Sequence, residues 1–145
     1  MTRPSQLDVR GPRFGAAVTT AVLAVVFVTA GTAVSTVLLI VQALAFAIGA
    51  LVGPHAQPYG VLFAKVIRPR LSPATEFEDA APPRFAQAVG LGFAVAALAG
   101  VFLNSLAIVQ IAVGFALAAA FLNAAFSFCL GCEMYLLIRR LSTNS

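Results

Sequence analysis

The chain has 145 residues, of which 61% are hydrophobic and only 10% charged, and its mean hydropathy is +0.98. Soluble domains carry about one quarter charged residues, so this composition excludes an ordinary soluble enzyme and specifies an all-α integral membrane protein of one domain. The net charge of +4 does not point to nucleic acid, because the nine Lys and Arg residues are scattered at segment ends and form no patch that could track phosphates.

Residues 1–13 are polar and carry Arg3, Arg10 and Arg13; residues 14–52 then contain no charge. A bilayer core of about 30 Å takes about 20 helical residues per crossing, so this run predicts two spans. Thr29-Ala30-Gly31-Thr32 is the expected turn between them. A basic start and an apolar stretch fit a signal peptide loosely, but a second full span follows at once. Gly53-Pro54-His55 stops the second helix.

A mixed segment follows. Val61 to Arg68 has one apolar face and is expected to lie along the interface as a short amphipathic helix. Pro69, Pro73, Pro82 and Pro83 keep the remainder from forming long helices, and Glu76, Glu78 and Asp79 add acidity. Residues 85–128 form the second uncharged run, predicting another helical hairpin that turns at Asn104-Ser105. The tail, 133–145, carries Arg139 and Arg140 and is expected to return to water.

The basic residues all fall in the N-terminal segment, the central loop or the tail, and none in the two hairpin turns. The positive-inside rule then predicts that both termini and the central loop are cytoplasmic. The order Asp8-x-x-x-Pro12-Arg13-Phe14 returns as Asp79-x-x-x-Pro83-Arg84-Phe85, which suggests an internal repeat. Pro near the first helical position, Arg at the headgroup level and Phe entering the bilayer form a helix entry. The expected architecture is four transmembrane helices as two parallel-repeat hairpins. Repeat one covers about 8–55, the loop about 56–83, repeat two about 79–132 and the tail 133–145.

The only two cysteines form Cys129-Leu130-Gly131-Cys132. At i and i+3 they share one helix face and could form a disulfide or ligate a soft metal together. Read as the end of the fourth helix, they face a dipole that opposes thiolate formation, as does Glu133. Compensation would come from arginines at the same depth, Arg84 or Arg13. On this reading Cys129 is shielded and Cys132 is the attacking thiol. The bland alternative is that Gly131 and two small cysteines simply allow close helix packing. If the repeats pack about an axis along the membrane normal, the single histidine, His55, faces the cysteines. Cys129, Cys132 and His55, with a fourth ligand such as Asp79 or across a homodimer, could then hold zinc, iron or copper. A lone His between prolines at an interface is more often a solvated loop residue, and that reading of His55 is the favoured one. Gln42 and Asn123 within spans read as hydrogen-bonding links between helices, although Asn123, six residues before Cys129, could instead support the cysteine site.

Other classes lack support. No ionisable residue lies within the uncharged runs, so a pump built on an intramembrane carboxylate has no basis. Neither a phosphate loop nor a Ser-His-Asp set is present. Quinone-linked four-helix disulfide oxidoreductases are a natural comparison, but they use a second cysteine pair and face the oxidising side.

Pro82-Pro83-Arg84-Phe85-Ala86-Gln87, Phe121-Leu122-Asn123-Ala124-Ala125-Phe126 and Phe128-Cys129-Leu130-Gly131-Cys132 resemble the small actinobacterial membrane proteins catalogued as domain of unknown function 4395. The resemblance covers nearly the whole chain. It implies a four-helix protein of the bacterial inner membrane, and an association with thioredoxin-like and sulfur-transfer proteins. The sequence thus leads to thiol-disulfide or sulfur-transfer exchange through Cys129 and Cys132, supported by Arg84, with a cytoplasmic partner. The alternative is a metal-binding or structural membrane module.

Overall fold

The computed structural model describes residues 6–73 and 75–143; Arg3 and the last two residues of the tail, Asn144 and Ser145, lie outside them. The long helices are α1 (Arg10–Val28), α2 (Ala33–Leu51), α4 (Ala81–Phe102) and α5 (Leu106–Phe126). Each is long and apolar enough to cross a membrane, rising about 28 to 33 Å at 1.5 Å per residue. Between them lie a short helix, α3 (Pro58–Leu62), a π-helical turn at Phe63–Ile67 and a 3-10 turn at Arg68–Arg70. A sixth helix, α6 (Leu130–Thr143), ends the described chain.

Both hairpin turns fall where the sequence places them, for identifiable reasons. Gly31 takes φ 92° and Asn104 φ 57°, the left-handed conformation that Gly and Asn adopt most readily. The following helices start on hydroxyl caps: Thr32 Oγ1 accepts from the Ser35 N–H at 3.2 Å, and Ser105 Oγ accepts from the Ile108 N–H at 3.3 Å. Each satisfies one of the N–H groups that a helix start leaves unpaired.

The bundle closes through α1 against α2 and α5, and α4 against α2 and α5. Leu23, Val26, Leu39, Phe46, Ala97, Val109 and Val113 form the buried core. Small residues let α4 approach its neighbours: a Cβ on Gly90 would meet the Phe46 ring at 2.6 Å, and one on Gly100 would meet Ile108 at 2.8 Å. In a bilayer, such dispersion contacts and interhelical hydrogen bonds replace the hydrophobic driving force.

Three findings depart from the sequence reading. First, β1 (Gln6–Asp8) pairs antiparallel with β2 (Phe77–Asp79) in the register Gln6↔Asp79, Leu7↔Glu78, Asp8↔Phe77, a small ribbon that ties the N-terminal segment to the central loop. Second, the interfacial segment is not one amphipathic helix, since it passes from α to π to 3-10 geometry before Leu71 ends it in an extended conformation. Third, the tail is helical, which the sequence reading did not foresee. It forms α6, with Leu136, Leu137, Ile138 and Leu141 exposed alongside Arg139 and Arg140, and α6 packs against α4.

The two helix entries are built alike. Asp8 Oδ1 accepts from the Arg10 N–H, and Asp79 Oδ1 from the Ala81 N–H, each at 3.0 Å. Arg13 Nε donates to the Ala124 carbonyl near the end of α5 at 3.1 Å. Arg84 donates to the Ala50 and Leu51 carbonyls at the end of α2 at 2.6 and 2.7 Å. Each arginine therefore satisfies carbonyls that a helix C-terminus leaves unpaired, and its charge opposes the negative end of the helix dipole.

Candidate functional site

The cysteine pair begins a helix instead of ending one. α5 stops at Phe126 because Ser127 turns into the left-handed region at φ 56°. There its N–H bonds the Asn123 carbonyl, and the Phe128 N–H bonds the Leu122 carbonyl. The chain then re-enters a helix at Leu130, and the Cys129 carbonyl accepts the Glu133 N–H at 3.0 Å. Cys129 thus stands just before the first helical residue, and Cys132 lies within the first turn.

This reverses the electrostatics expected from the sequence. The partial positive charge of a helix N-terminus favours an anion beside it, and reactive cysteines use that position. The Cys132 N–H donates to Cys129 Sγ at 3.1 Å, so of the two sulfurs it is that of Cys129 that a backbone donor of this helix start contacts. The sequence reading gave the attacking role to Cys132; it is the sulfur of Cys129 that meets the backbone donor at the helix start. Glu133 in the first turn is the nearby opposing charge. In the structure the two residues are joined as a disulfide, with Cα atoms 5.1 Å apart. Both are half-buried.

Gly131 fixes where this motif sits. It is buried, and a Cβ there would lie 2.6 Å from both Cα and Cβ of Ala86 on α4. Only a residue without a side chain lets the start of α6 approach so closely. One turn later, the Tyr135 ring meets Phe85 at 5.7 Å between centroids, and its hydroxyl accepts from Arg139 at 3.2 Å.

The disulfide forms part of the wall of a cavity of about 800 Å³. Asp8, Arg10, Ser72, Glu76 and Glu78 surround its polar end, while Phe46, Phe93, Phe115 and Ala116 line its apolar end. From Ser127 to Phe115 is about 18 Å along α5, at 1.5 Å per residue, so the cavity reaches to about the middle of a 30 Å bilayer core. Asp8 is buried, and Arg10 grips it through Nε to Oδ1 at 3.1 Å and Nη2 to Oδ2 at 2.9 Å. That guanidinium holds the Asp8 carboxyl below its ordinary value; the second effect, burial, works in the opposite direction. Burial raises the Glu78 carboxyl.

The remaining candidates are placed elsewhere. Arg84 is committed to the end of α2 and borders a second, smaller cavity with His55 and Asp79. Neither Arg84 nor His55 lines the disulfide cavity; Arg13 does. The structure therefore does not bring His55 to the cysteines, and among the described residues no three His, Cys, Asp or Glu side chains gather as a metal shell. Gln42 does act as a link: it is fully buried and its Oε1 accepts from the Tyr59 hydroxyl at 2.7 Å. Asn123 does not, because its side chain lines the disulfide cavity and makes no hydrogen bond to another described residue.

Sequence reasoning missed Glu78 and Gln87. Gln87 also lines the cavity, and its Oε1 accepts from buried Gln57 at 2.9 Å. Glu78 read as one of three loop acids; only its pairing in β2 distinguishes it. Neither the curated proteins nor the solved structures yield a match to this chain. Residues 7–140 match a protein family in one unbroken stretch, and the chain belongs to that family, described as Domain of unknown function (DUF4395).

Proposed function

We propose that this protein is a multi-pass membrane thiol-disulfide exchange protein whose Cys129–Cys132 pair serves a cytoplasmic thioredoxin-like or sulfur-transfer partner. The observation that carries the reading is the Cys132 N–H aimed at Cys129 Sγ at the start of α6. It provides the two features a reactive pair needs, a stabilised thiolate and a resolving thiol one turn away.

The exchange step balances simply. In the reduced pair the Cys129 thiolate attacks a partner disulfide, a mixed disulfide forms and one partner thiolate leaves. The Cys132 thiolate then attacks Cys129 Sγ, which restores the intramolecular disulfide and releases the second partner thiolate. The partner gains two electrons and the pair loses them. With a persulfide donor the same Cys129 thiolate would accept a sulfur atom instead.

The reading includes a parallel two-plus-two repeat with both termini cytoplasmic. Its support is the matched helix entries, in which Asp8 and Asp79 accept equivalent N–H groups and Arg13 and Arg84 each reach the second helix of the other half. The β1–β2 register is also centred on Leu7 and Glu78, which are equivalent positions in the two halves. Among the described residues, the eight Lys and Arg side chains belong to segments on the ribbon side of the spans, the side the positive-inside rule assigns to the cytoplasm.

The deciding experiment is alkylation of oriented membrane vesicles with an impermeant thiol reagent, from each side, with and without reductant and chelator. Reductant-dependent labelling from the cytoplasmic side is expected. Labelling from the outer side alone would overturn the topology, and labelling exposed by chelator would replace exchange with metal binding.

A further inference from the structure

The cavity beside the disulfide is larger and deeper than contact with a soluble partner requires. Its inner half is uncharged, bordered by Phe46, Phe93 and Phe115, and it ends about halfway across the bilayer. A water-soluble occupant has no reason to reach that depth. Its volume lies within the 300 to 1,000 Å³ typical of small-molecule sites. Resting on the exchange reading above, we infer that this cavity binds an isoprenoid quinone, whose ring lies beside Cys129 and Cys132 and whose tail lies over the phenylalanine floor.

Two polar side chains fit the ring carbonyls. Asn123 lines the cavity with an amide that makes no hydrogen bond to another described residue. Asn123 stands about 6 Å along α5 from Ser127, at the disulfide end of the cavity, and an amide within a span normally bonds a neighbouring helix. Gln87 also lines the cavity, and with its Oε1 accepting from Gln57, its NH2 remains as a donor. A quinone has two carbonyl acceptors and no donors, matching two amide N–H groups.

The redox step is complete with these components. Both S–H bonds of the reduced pair break and the S–S bond forms, releasing two electrons and two protons. The quinone takes up both, forming two O–H bonds as its ring becomes the hydroquinone. Enzymes with a separate relay pair need it to span the distance between partner and quinone. Here one pair lies on the cavity wall and is also half-exposed at the surface, so a partner dithiol can reduce its disulfide by the reverse of the exchange above, becoming a disulfide itself, and the quinone then takes the two electrons and two protons from the pair; no second pair is required.

The test uses the full chain in lipid nanodiscs, reduced and freed of reductant without oxygen, then mixed with decylubiquinone. All ring positions of that probe are substituted, which suppresses thiol addition. Loss of quinone absorbance and alkylation of the remaining thiols are followed together. The expected result is a rate that saturates with quinone and one quinone reduced per disulfide formed. Asn123→Ala should raise the half-saturating concentration about tenfold, as expected for one lost hydrogen bond. Ala119→Phe, which fills the cavity, should lower the quinone rate at least tenfold relative to the same variant's oxidation by glutathione disulfide. A rate linear in quinone and equal in wild type and both variants overturns the site. Failure with quinone but oxidation by glutathione disulfide overturns the quinone and leaves the exchange reading intact. Failure with both oxidants overturns the exchange reading itself.

Discussion

Gly131 lies so close to Ala86 that a methyl group on it would stand 2.6 Å from the Ala86 Cα. This contact sets the height at which α6 meets α4, and so the height of the disulfide against its cavity. Gly131→Ala forces backbone against backbone, and overpacking of this kind costs about 1 to 3 kcal/mol. The expected outcome is a lower unfolding midpoint in detergent together with slower dithiol exchange. Unchanged exchange would mean that α6 does not depend on this approach.

The reversed helix polarity gives a direct test at the cysteines. In Cys132→Ser, the remaining Cys129 keeps the helix N-terminus and the residue-132 N–H, and should alkylate quickly at neutral pH and accumulate as a mixed disulfide. In Cys129→Ser, Cys132 lacks that N–H and should alkylate more slowly. Rates of iodoacetamide labelling against pH decide the order. Faster labelling of Cys132 would restore the assignment made from the sequence.

Gln42 is fully buried and its Oε1 depends on the Tyr59 hydroxyl, while its Nε2 has no partner among the described residues. Tyr59→Phe leaves the whole amide unpaired and should cost about 1 to 3 kcal/mol. Tyr59→Phe combined with Gln42→Leu removes both polar groups and should recover most of the loss. Thermal unfolding of Tyr59→Phe, Gln42→Leu and the double variant in one detergent measures the cycle, and additive losses would show that the pair is not coupled.

Two acids at the polar end of the cavity should respond to pH in opposite directions. Asp8 has a folded value below its unfolded value, chiefly because Arg10 hydrogen-bonds its carboxylate. Its contribution is present above the unfolded value, about pH 4, and is lost as pH falls through the folded value. Asp8→Asn should flatten the acid limb of the stability profile. Glu78 has a folded value raised by burial. Its contribution is present below its unfolded value and lost as pH rises through the folded one, so Glu78→Gln should stabilise the protein at neutral pH and leave it unchanged in acid. Unfolding midpoints measured across that range check both signs.

Much of this architecture was already legible in the sequence. Two long uncharged runs can only fold as paired spans, because hydrocarbon accepts no unpaired backbone and a helix crosses it in about 20 residues. Gly31, Thr32, Asn104 and Ser105 mark the turns by conformational freedom and capping chemistry, and the structure places all four there. The family, too, was recognisable from Pro82 to Gln87 and Phe128 to Cys132.

The tertiary structure decided the setting of the cysteines. Nothing in Phe126-Ser127-Phe128 marks a helix end, since the left-handed turn falls on a serine with no glycine or proline nearby. Reading through it placed the cysteines at the wrong end of a dipole. The turn persists because α6 packs on α4 through Gly131 and Tyr135, contacts between residues about 45 to 50 positions apart that no local pattern encodes. The same holds for Arg84, whose charge the sequence suggested for a thiolate and the fold spends on the Ala50 and Leu51 carbonyls. Composition and periodicity determined that four helices are long and apolar enough to cross a membrane and where the chain turns. Packing between distant segments determined which sulfur meets a helix N-terminus and what lies across the cavity from it.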